Sequence, residues 1–496
     1  MSITLRPYQT DARYQLNALL NASRHPVFVS PTGTGKTATA TAVISDRASI
    51  GRRVFVLVPS VEIFTQWITD LSDAGLNPGY INDEGMKGQN RAVYVCMAQS
   101  LVNILDRVPE TLWPDEIFTD EAHHGAAETY DKIYTFFDRA TRCGLTATPE
   151  RLDGKGLDHL YTDIVQTITM KEAVDAGYLA KPLPIVPQKY LDKHDIPDGN
   201  PDAPGALEAQ AAKLGKLEII GDVLESYRHI FHGKPVLVAC ATFGHAELMA
   251  KKFIEAGWNF EHIHSGLSKQ ERRRMLRGIR SGTIHGLCTV GIGIEGMDIP
   301  GLYGLIWLRR TRSLTIYLQM VGRVLRPLPG KKYGVILDPV GNLFLHGFPE
   351  ADRVWQLSGR GDGAGAGSEP PEVPMRICPW CGVANNPENE RCHFCNMQLL
   401  DEDGNRVTKK RDLPSFVAGQ LIAVTSDGDR QAVENAIIQD VEEVSESQKK
   451  AEQKEARVLT STEKKDILVQ GIFAGRERRP LFNEAVRGMA GNGGLG

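Results

Sequence analysis

The sequence has no apolar run of membrane-spanning length; its longest strand-like stretch near the start covers only residues 54–58, so no transmembrane helix is expected. It also lacks the basic opening and apolar core of a secretory leader, since it begins MSITLRPYQT, and a cytoplasmic protein is the expectation. No sign of charge dominates. The formal net charge of −4 excludes a uniformly basic coat, so a nucleic acid would have to bind in a local groove. Cysteine is scarce, eight in 496 residues, and unevenly spread. Cys96, Cys143, Cys240 and Cys288 stand singly in apolar segments, where cysteine behaves as a small hydrophobe. The other four crowd into 378–395, which is metal spacing and not a disulfide framework.

What is present is an ordinary globular composition, 42% hydrophobic and 24% charged, on a chain too long for one core. Short β-branched runs alternate with helical patterns, the signature of parallel α/β architecture. Strands are expected at 27–30, 54–58, 92–97, 116–120 and 143–146, and a second series at 236–241, 261–264, 286–290, 305–308 and 334–338. Two tandem α/β units follow, 1–180 and 216–357, joined by a Pro-, Asp- and Gly-rich connector at 181–215. A flexible linker at 358–374 contains SGRGDGAGAG and leads to a compact cysteine module at 375–400. The charged tail, 401–496, holds one short helical face at Val433, Ile437, Val441 and Val444, and its last residues are expected to be disordered.

Residues 30–37, SPTGTGKT, follow an apolar strand and precede a helical run, the setting of a phosphate-binding loop. Thr32, Gly33, Thr34 and Gly35 would curl the backbone so that its N–H groups face a β-phosphate. Lys36 would meet the β- and γ-phosphates, and the Thr37 hydroxyl would ligate Mg²⁺. Ser30 stands where the pattern usually begins with Gly. Asp120 closes an apolar strand and should hold the same Mg²⁺, while Glu121 should orient and deprotonate the attacking water. Upstream, LRPYQ offers Gln9 for the adenine edge, with Arg6 or Tyr8 to pack on the base.

In the second unit QMVGRVLR, 319–326, places Gln319, Arg323 and Arg326 on one helical face. Two convergent guanidiniums suit the charge of a transferring phosphoryl group, and Gly322 permits close approach to the neighbouring unit. Hydrolysis would then require the two units to close on each other.

Cys378, Cys381, Cys392 and Cys395 form two C-x-x-C knuckles separated by ten residues, the spacing of a four-thiolate zinc site; an iron–sulfur cluster is the chemical alternative. Arg376, Trp380, Arg391 and Phe394 could contact nucleic acid there, and docking against a protein is equally open. The arginines of 270–280, QERRRMLRGIR, are read mainly as the solvated face of an amphipathic helix with Met275, Leu276 and Ile279 inward.

In this order the segments resemble the superfamily 2 helicases, over about residues 3–346. LRPYQ looks like their adenine-reading motif, SPTGTGKT like motif I, 57–67 like motif Ia, DEAH (120–123) like motif II and LTATP (145–149) like motif III. TVGIGIEGMDIP (289–300) looks like motif V and QMVGRVLR like motif VI. The resemblance implies two RecA-like domains and use of ATP with Mg²⁺. It makes His123, Thr146 and Thr148 couplers between the nucleotide and nucleic-acid sites, and Gly296 and Asp298 nucleotide contacts of the second domain. It puts Pro59, Ser265 and Thr289 on the strand-binding surface. LRPYQ, GLTATPERLDGKGL and the cysteine module together resemble bacterial RadD-type DNA-repair proteins and their phage relatives, although the cysteine-bearing part is shorter here. The large C-terminal domains of RNA-processing DEAH helicases have no counterpart in the pattern. The resemblance implies a motor acting on DNA in a bacterial or phage-infected cell, with a repair or replication protein docking on the module or tail. An RNA helicase, the motor subunit of a restriction system and a zinc-dependent scaffold are the other readings.

Overall fold

The computed structural model describes residues 4–124, 128–149, 156–186, 201–264, 266–290, 299, 301–358, 373–400 and 405. The first domain opens with α1 (Pro7–Asn21), β1 (Pro26–Val29), α2 (Lys36–Ser49), β2 (Val54–Val58) and α3 (Val61–Asp73). It continues through β3 (Gly79–Asn82), β4 (Gly85–Lys87), β5 (Val93–Met97), α4 (Ala98–Leu101), β6 (Glu116–Asp120), α5 (Glu128–Phe136), β7 (Thr141–Thr146) and β8 (Asp163–Val165). These eight strands form one sheet in the order β4-β3-β5-β2-β6-β7-β1-β8, parallel except for β3 against β4. Strands such as β2 are buried along their whole length, as expected where helices cover both faces.

A linker helix, α6 (Met170–Asp175), leads to the second domain. Its elements are β9 (Lys181–Ile185), α7 (Pro204–Leu214), α8 (Leu217–Ser226), β10 (Val236–Cys240), α9 (Phe243–Glu255), β11 (Phe260–Ile263) and α10 (Lys269–Ser281). Then come β12 (Gly286–Val290), β13 (Gly304–Leu308), α11 (Leu314–Val324), β14 (Tyr333–Leu337) and α12 (Asn342–His346). The sheet order is β11-β12-β10-β13-β14-β9, all parallel. The two sheets are thus built as a tandem pair of RecA-like domains.

All ten strands expected from the sequence are present within a residue or two at each end. The connector is different. Residues 181–185 are a strand, and residues 204–214 are a helix. Pro182 and Pro184 pair with Gly334 and Ile336 in β9, which lies at the sheet edge, where a residue without N–H is tolerated. The turns and prolines that signalled a loop mark an edge strand instead. After α12 the chain runs back to the first domain, where Leu157 N donates to Leu357 O at 2.6 Å and Trp355 packs against both domain cores. The linker core and the helical face of the tail lie outside the described residues.

The cysteine module carries β15 (Arg376–Ile377) and β16 (Ala384–Asn385) and docks on β9. Val383 bridges Ile185 in antiparallel fashion, and Val186 N donates to Gly382 O at 3.0 Å. Cys378, Cys381, Val383, Cys392 and Leu399 join the hydrophobic core of the second domain. Among the described residues no helix is long and apolar enough to cross a membrane.

Candidate nucleotide site between the two domains

Each catalytic candidate of the first domain sits at the C-terminal edge of its sheet, where open α/β sheets bind ligands. Strand β1 feeds the loop 30–35 and α2 begins at Lys36. Gly33 and Gly35 have φ of 91° and 83°, left-handed values that side chains rarely adopt, so the curl that turns N–H groups inward needs glycine there. Ser30 also finds its reason. Its Oγ lies 2.7 Å from Thr34 Oγ1, which donates to Pro31 O at 2.6 Å, so the hydroxyl in place of glycine ties the loop internally. Thr34 is therefore buried and committed to the loop, and its own N–H also closes the curl by donating to Pro31 O at 3.2 Å.

Strand β6 delivers the acids. Lys36 Nζ lies 3.8 Å from both Asp120 Oδ1 and Glu121 Oε2. Burial raises the Asp120 carboxyl above the ordinary range, and the Lys36 charge opposes that rise. Trp67 on α3, to which the sequence pattern assigns no role of its own, donates Nε1–H to Asp120 Oδ2 at 2.8 Å. Glu121 has a φ of 49°, a strained value for a side-chain-bearing residue, and this turns its carboxylate toward Lys36.

The second domain meets these groups through α11, in which all eleven residues are buried. Ser313 caps it by accepting from Ile316 N at 3.1 Å. Gln319 Nε2 donates to Glu121 Oε2 at 3.3 Å. A Cβ on Gly322 would fall 2.4 Å from Thr32 Cβ, and one on Gly33 would fall 3.3 Å from Arg326 Cγ. Arg326 is thereby against the phosphate loop, with its pKa lowered by burial; it lies two residues past the end of α11 and so leaves the helical face expected for it, whereas Arg323 is buried on α11 itself. A polar chain crosses at the N-terminal end of α11. His123 Nδ1 lies 3.6 Å from Glu121 Oε2 and 3.3 Å from Thr146 Oγ1. Thr146 Oγ1 accepts from Thr148 N at 3.1 Å, and Thr148 Oγ1 donates to Thr315 Oγ1 across the domain boundary at 2.9 Å. Thr315 sits in an otherwise apolar helix face, and nothing in its spacing signals the contact.

The LRPYQ segment packs on the loop. Gln9 Nε2 donates to Thr34 O at 3.0 Å and Gly35 O at 3.3 Å, and its Oε1 accepts from Arg6 N at 2.8 Å. Tyr8 is buried, its hydroxyl donating to Thr34 O at 2.5 Å, so it braces the loop and has no face for a base. Of the strand-binding candidates, Pro59 is half-buried beside the N-terminus of α3. Thr289 is fully buried in β12, flanked by β10 and β11, so it is not at the surface expected for it. Ser265, Gly296 and Asp298 lie outside the described residues. On α10, Arg272 pairs with Glu62 of the first domain and Arg274 with Glu261, while Met275 and Ile279 are buried inward.

In the cysteine module all four Sγ atoms lie within 4.8 Å of one another, with Cys378–Cys395 and Cys381–Cys392 both at 3.6 Å. A tetrahedral ion with Zn–S bonds of about 2.3 Å sets sulfurs about 3.8 Å apart, so the donors fit zinc. Asn385 Nδ2 donates to Cys392 Sγ at 3.5 Å, a supporting contact of the kind that orients metal ligands. Arg376 Nη1 donates to Asn389 O and Arg391 Nη1 to Asn396 O, and Phe394 packs edge-on against Tyr333. Trp380 packs on the second-domain core as well. These four hold the module together and to its own chain.

Residues 2–151 match the family described as "Type III restriction enzyme, res subunit", and residues 215–327 match "Helicase conserved C-terminal domain". A "51.5 kDa protein" of a Lactococcus phage (isolate 7-9) is 29% identical over 375 residues, 75% of this chain and 78% of its own. The "DNA 3'-5' translocase XPB2" of Sulfurisphaera tokodaii is 25% identical over 370 residues, 65% of this chain and 79% of its own. Among solved structures, the ATP-dependent Type ISP restriction-modification enzyme LlaBIII bound to DNA superposes with a TM-score of 0.53 at 17% identity. That likeness covers 68% of this chain but 28% of the larger enzyme, and it concerns the fold. With an ordered phosphate loop, paired acids and an arginine-bearing helix closing on them from a second domain, the chain belongs to the superfamily 2 helicases, the ATP-dependent nucleic-acid motors.

Proposed function

We propose that this chain hydrolyses ATP to ADP and phosphate and uses the closure of its two domains to translocate on or remodel DNA. The observation that carries the reading is the seating of α11 on the phosphate loop, through Gly322 on Thr32 and Gln319 on Glu121. Thr37 and Asp120 would hold a magnesium ion, which would supply charge neutralisation for the phosphates. Lys36, now bridging Asp120 and Glu121, turns to the phosphates. Glu121 takes the proton of the attacking water, which Gln319 helps to orient. Arg323 and Arg326 stabilise the transferring phosphoryl group, so turnover requires the closed pair of domains. His123, Thr146, Thr148 and Thr315 form the hydrogen-bonded path by which strand binding reports to Glu121. Gly296 and Asp298 complete the nucleotide site from the second domain, and Pro59 borders the strand.

DNA as the track is supported by the likeness to a DNA translocase and by the cysteine module, which resembles that of RadD-type repair proteins. The test is one ATPase assay run in parallel with single-stranded, duplex and forked DNA and with RNA. Stimulation by DNA, lost in Lys36→Ala and Arg326→Ala, is expected. Stimulation by RNA alone would move the chain to the RNA helicases, and sustained turnover in either variant would sink the mechanism. The match of the first domain to a restriction-enzyme subunit supports a second reading, a motor that works for a nuclease supplied by a partner. Cleavage of DNA by a complex purified through this chain would favour it.

A further inference from the structure

Arg326 stands two residues past the end of α11, beyond the run that the helix's own hydrogen bonds hold. Its main chain is held from outside the helix. Ala180 N donates to Leu325 O at 2.8 Å, and the ammonium of Lys331 donates to Arg326 O at 3.2 Å. The same Nζ donates to Val324 O at 2.5 Å and to Leu302 O at 2.6 Å, so its three N–H groups meet three carbonyls. Two of these close the segment 319–326. The third, on Leu302, lies just past residues 289–300, the segment with Gly296 and Asp298. Resting on the ATPase reading above, we propose that Lys331 is a positioning residue for hydrolysis: its ammonium clamps these two segments together and so sets where Arg326 stands against the phosphate loop.

A stiff turn delivers Lys331 to this place. Pro327 and Pro329 have φ fixed by their rings, Gly330 takes a φ of 73°, and Lys331 N donates to Leu328 O at 3.0 Å. The turn brings the side chain back under the carbonyl end of α11, where a cation also meets the negative end of the helix dipole. There is little slack around it. A Cβ on Gly334 of β14 would fall 2.6 Å from Val324 O, and the centre of the Tyr303 ring is 5.8 Å from Lys331 Nζ. The side chain of Arg326 is as closely placed, since a Cβ on Gly33 would fall 3.3 Å from Arg326 Cγ. A shift of about 1 Å at Arg326 would carry its guanidinium off the phosphoryl oxygens, a misplacement that can cost about a hundredfold in rate.

A simple helix cap would ask less than this. One neutral donor can satisfy a terminal carbonyl, whereas here a second cation is set close to Arg326. Desolvation first and the Arg326 charge second push the Lys331 ammonium down to about 7 from 10.5. A lysine held against that cost, at the join of two segments assigned above to the nucleotide, is there to align them.

The test uses the full chain and compares the parent with Lys331→Met, which keeps the apolar stem and loses every donor. ATPase kcat and KM are measured with the nucleic acid that stimulates the parent. Titration calorimetry follows binding of ADP alone and of ADP with magnesium and aluminium fluoride, which mimics the transferring phosphoryl group. Lys331→Met is expected to lower kcat about ten- to hundredfold, while KM and the affinity for ADP stay within about twofold. Affinity for ADP with aluminium fluoride should fall about tenfold or more. In an Arg326→Ala background Lys331→Met should weaken binding of that analogue no further, because it acts through the arginine. Further weakening in the double variant, equal weakening of ADP with and without aluminium fluoride, or an unchanged kcat would overturn the proposal. Should Lys331→Met not fold, Lys331→Gln, which keeps two donors, takes its place under the same criteria, with an expected loss of kcat of about three- to tenfold. A parent that hydrolysed no ATP with any nucleic acid would bring down the ATPase reading and this proposal with it, whereas the preceding outcomes leave that reading standing.

Discussion

Gly322 and Thr32 touch across the two domains so closely that a Cβ on the glycine would lie 2.4 Å from the threonine Cβ. Carbon atoms settle at about 3.5–4.0 Å, so any side chain at 322 must push the arginine helix away from the phosphate loop. In Gly322→Ala, helix propensity by itself favours the variant by up to about 1 kcal/mol. We therefore expect an unchanged or slightly raised denaturation midpoint together with at least a tenfold loss of kcat. A variant with full activity would mean that the helix does not seat here during turnover.

How much of this was legible beforehand follows from the range of the interactions. The phosphate loop, the acids and the arginine helix are each written in a few consecutive residues, because curl, strand end and helix face are local properties. The close approach at Gly322 was legible too, since glycine inside a helix needs a reason. By contrast, Trp67 reaches Asp120 over 53 positions and Thr148 reaches Thr315 over 167, and no local pattern encodes such pairs. Strand β9 was misread because Pro182 and Pro184 signal a loop unless one knows that the strand takes the sheet edge. Thr289 was misplaced for a related reason: a motif names the segment but not how deep a given side chain lies.

Because the cysteine module docks on β9, zinc held by its four cysteines would contribute to the stability of the motor domain. The four cysteines close a core that includes Leu399, Val383 and the second-domain apolar residues. Removing one ligand in Cys392→Ser, or stripping the ion with a chelator, should open that edge. Structural zinc contributes several kcal/mol to such small modules, and roughly 1 kcal/mol moves a midpoint by about 2–4 °C in domains of this size. The expected outcome is a midpoint lowered by more than about 5 °C, restored in the chelated protein by added zinc. An unchanged melting curve would show that the module is not part of the domain's fold.

Asp338 gives a pH signature. It is fully buried after β14, and burial pushes its carboxyl up to about 6 from 3.8, against the opposing pull of backbone N–H groups at Leu343, Asn342 and Val340 and of the Arg310 charge. The native state then holds a proton that the unfolded chain releases between those two values. Stability must fall as pH rises from about 4 to about 6, and the cost, roughly 1–3 kcal/mol, is fully present above that window. Asp338→Asn keeps an oxygen to accept from Leu343 N, which Asp338 Oδ2 does at 2.6 Å, and cannot ionise. Denaturant midpoints measured from pH 4 to 8 should be flatter in this variant and higher at pH 8. A variant that keeps the parent's slope would assign the pH dependence to other groups.

Trp67 acts on Asp120, the acid proposed to hold magnesium, from a separate segment of the first domain. Its Nε1–H on Asp120 Oδ2 fixes one carboxylate oxygen and favours the ionised form, leaving the other oxygen beside Lys36. Trp67→Phe removes that donor while filling most of the same space, at a stability cost of about 1 kcal/mol. Without the bond the Asp120 carboxyl rises further and its plane is free to turn. Two shifts in the ATPase follow: the magnesium concentration for half-maximal rate should increase about three- to tenfold, and the acid limb of the pH–rate profile should move to higher pH. Both should be recovered in large part by saturating magnesium, because the ion itself holds the carboxylate ionised once bound. If Trp67→Phe lowered kcat at all magnesium concentrations alike and left the acid limb in place, the tryptophan would be packing and nothing more.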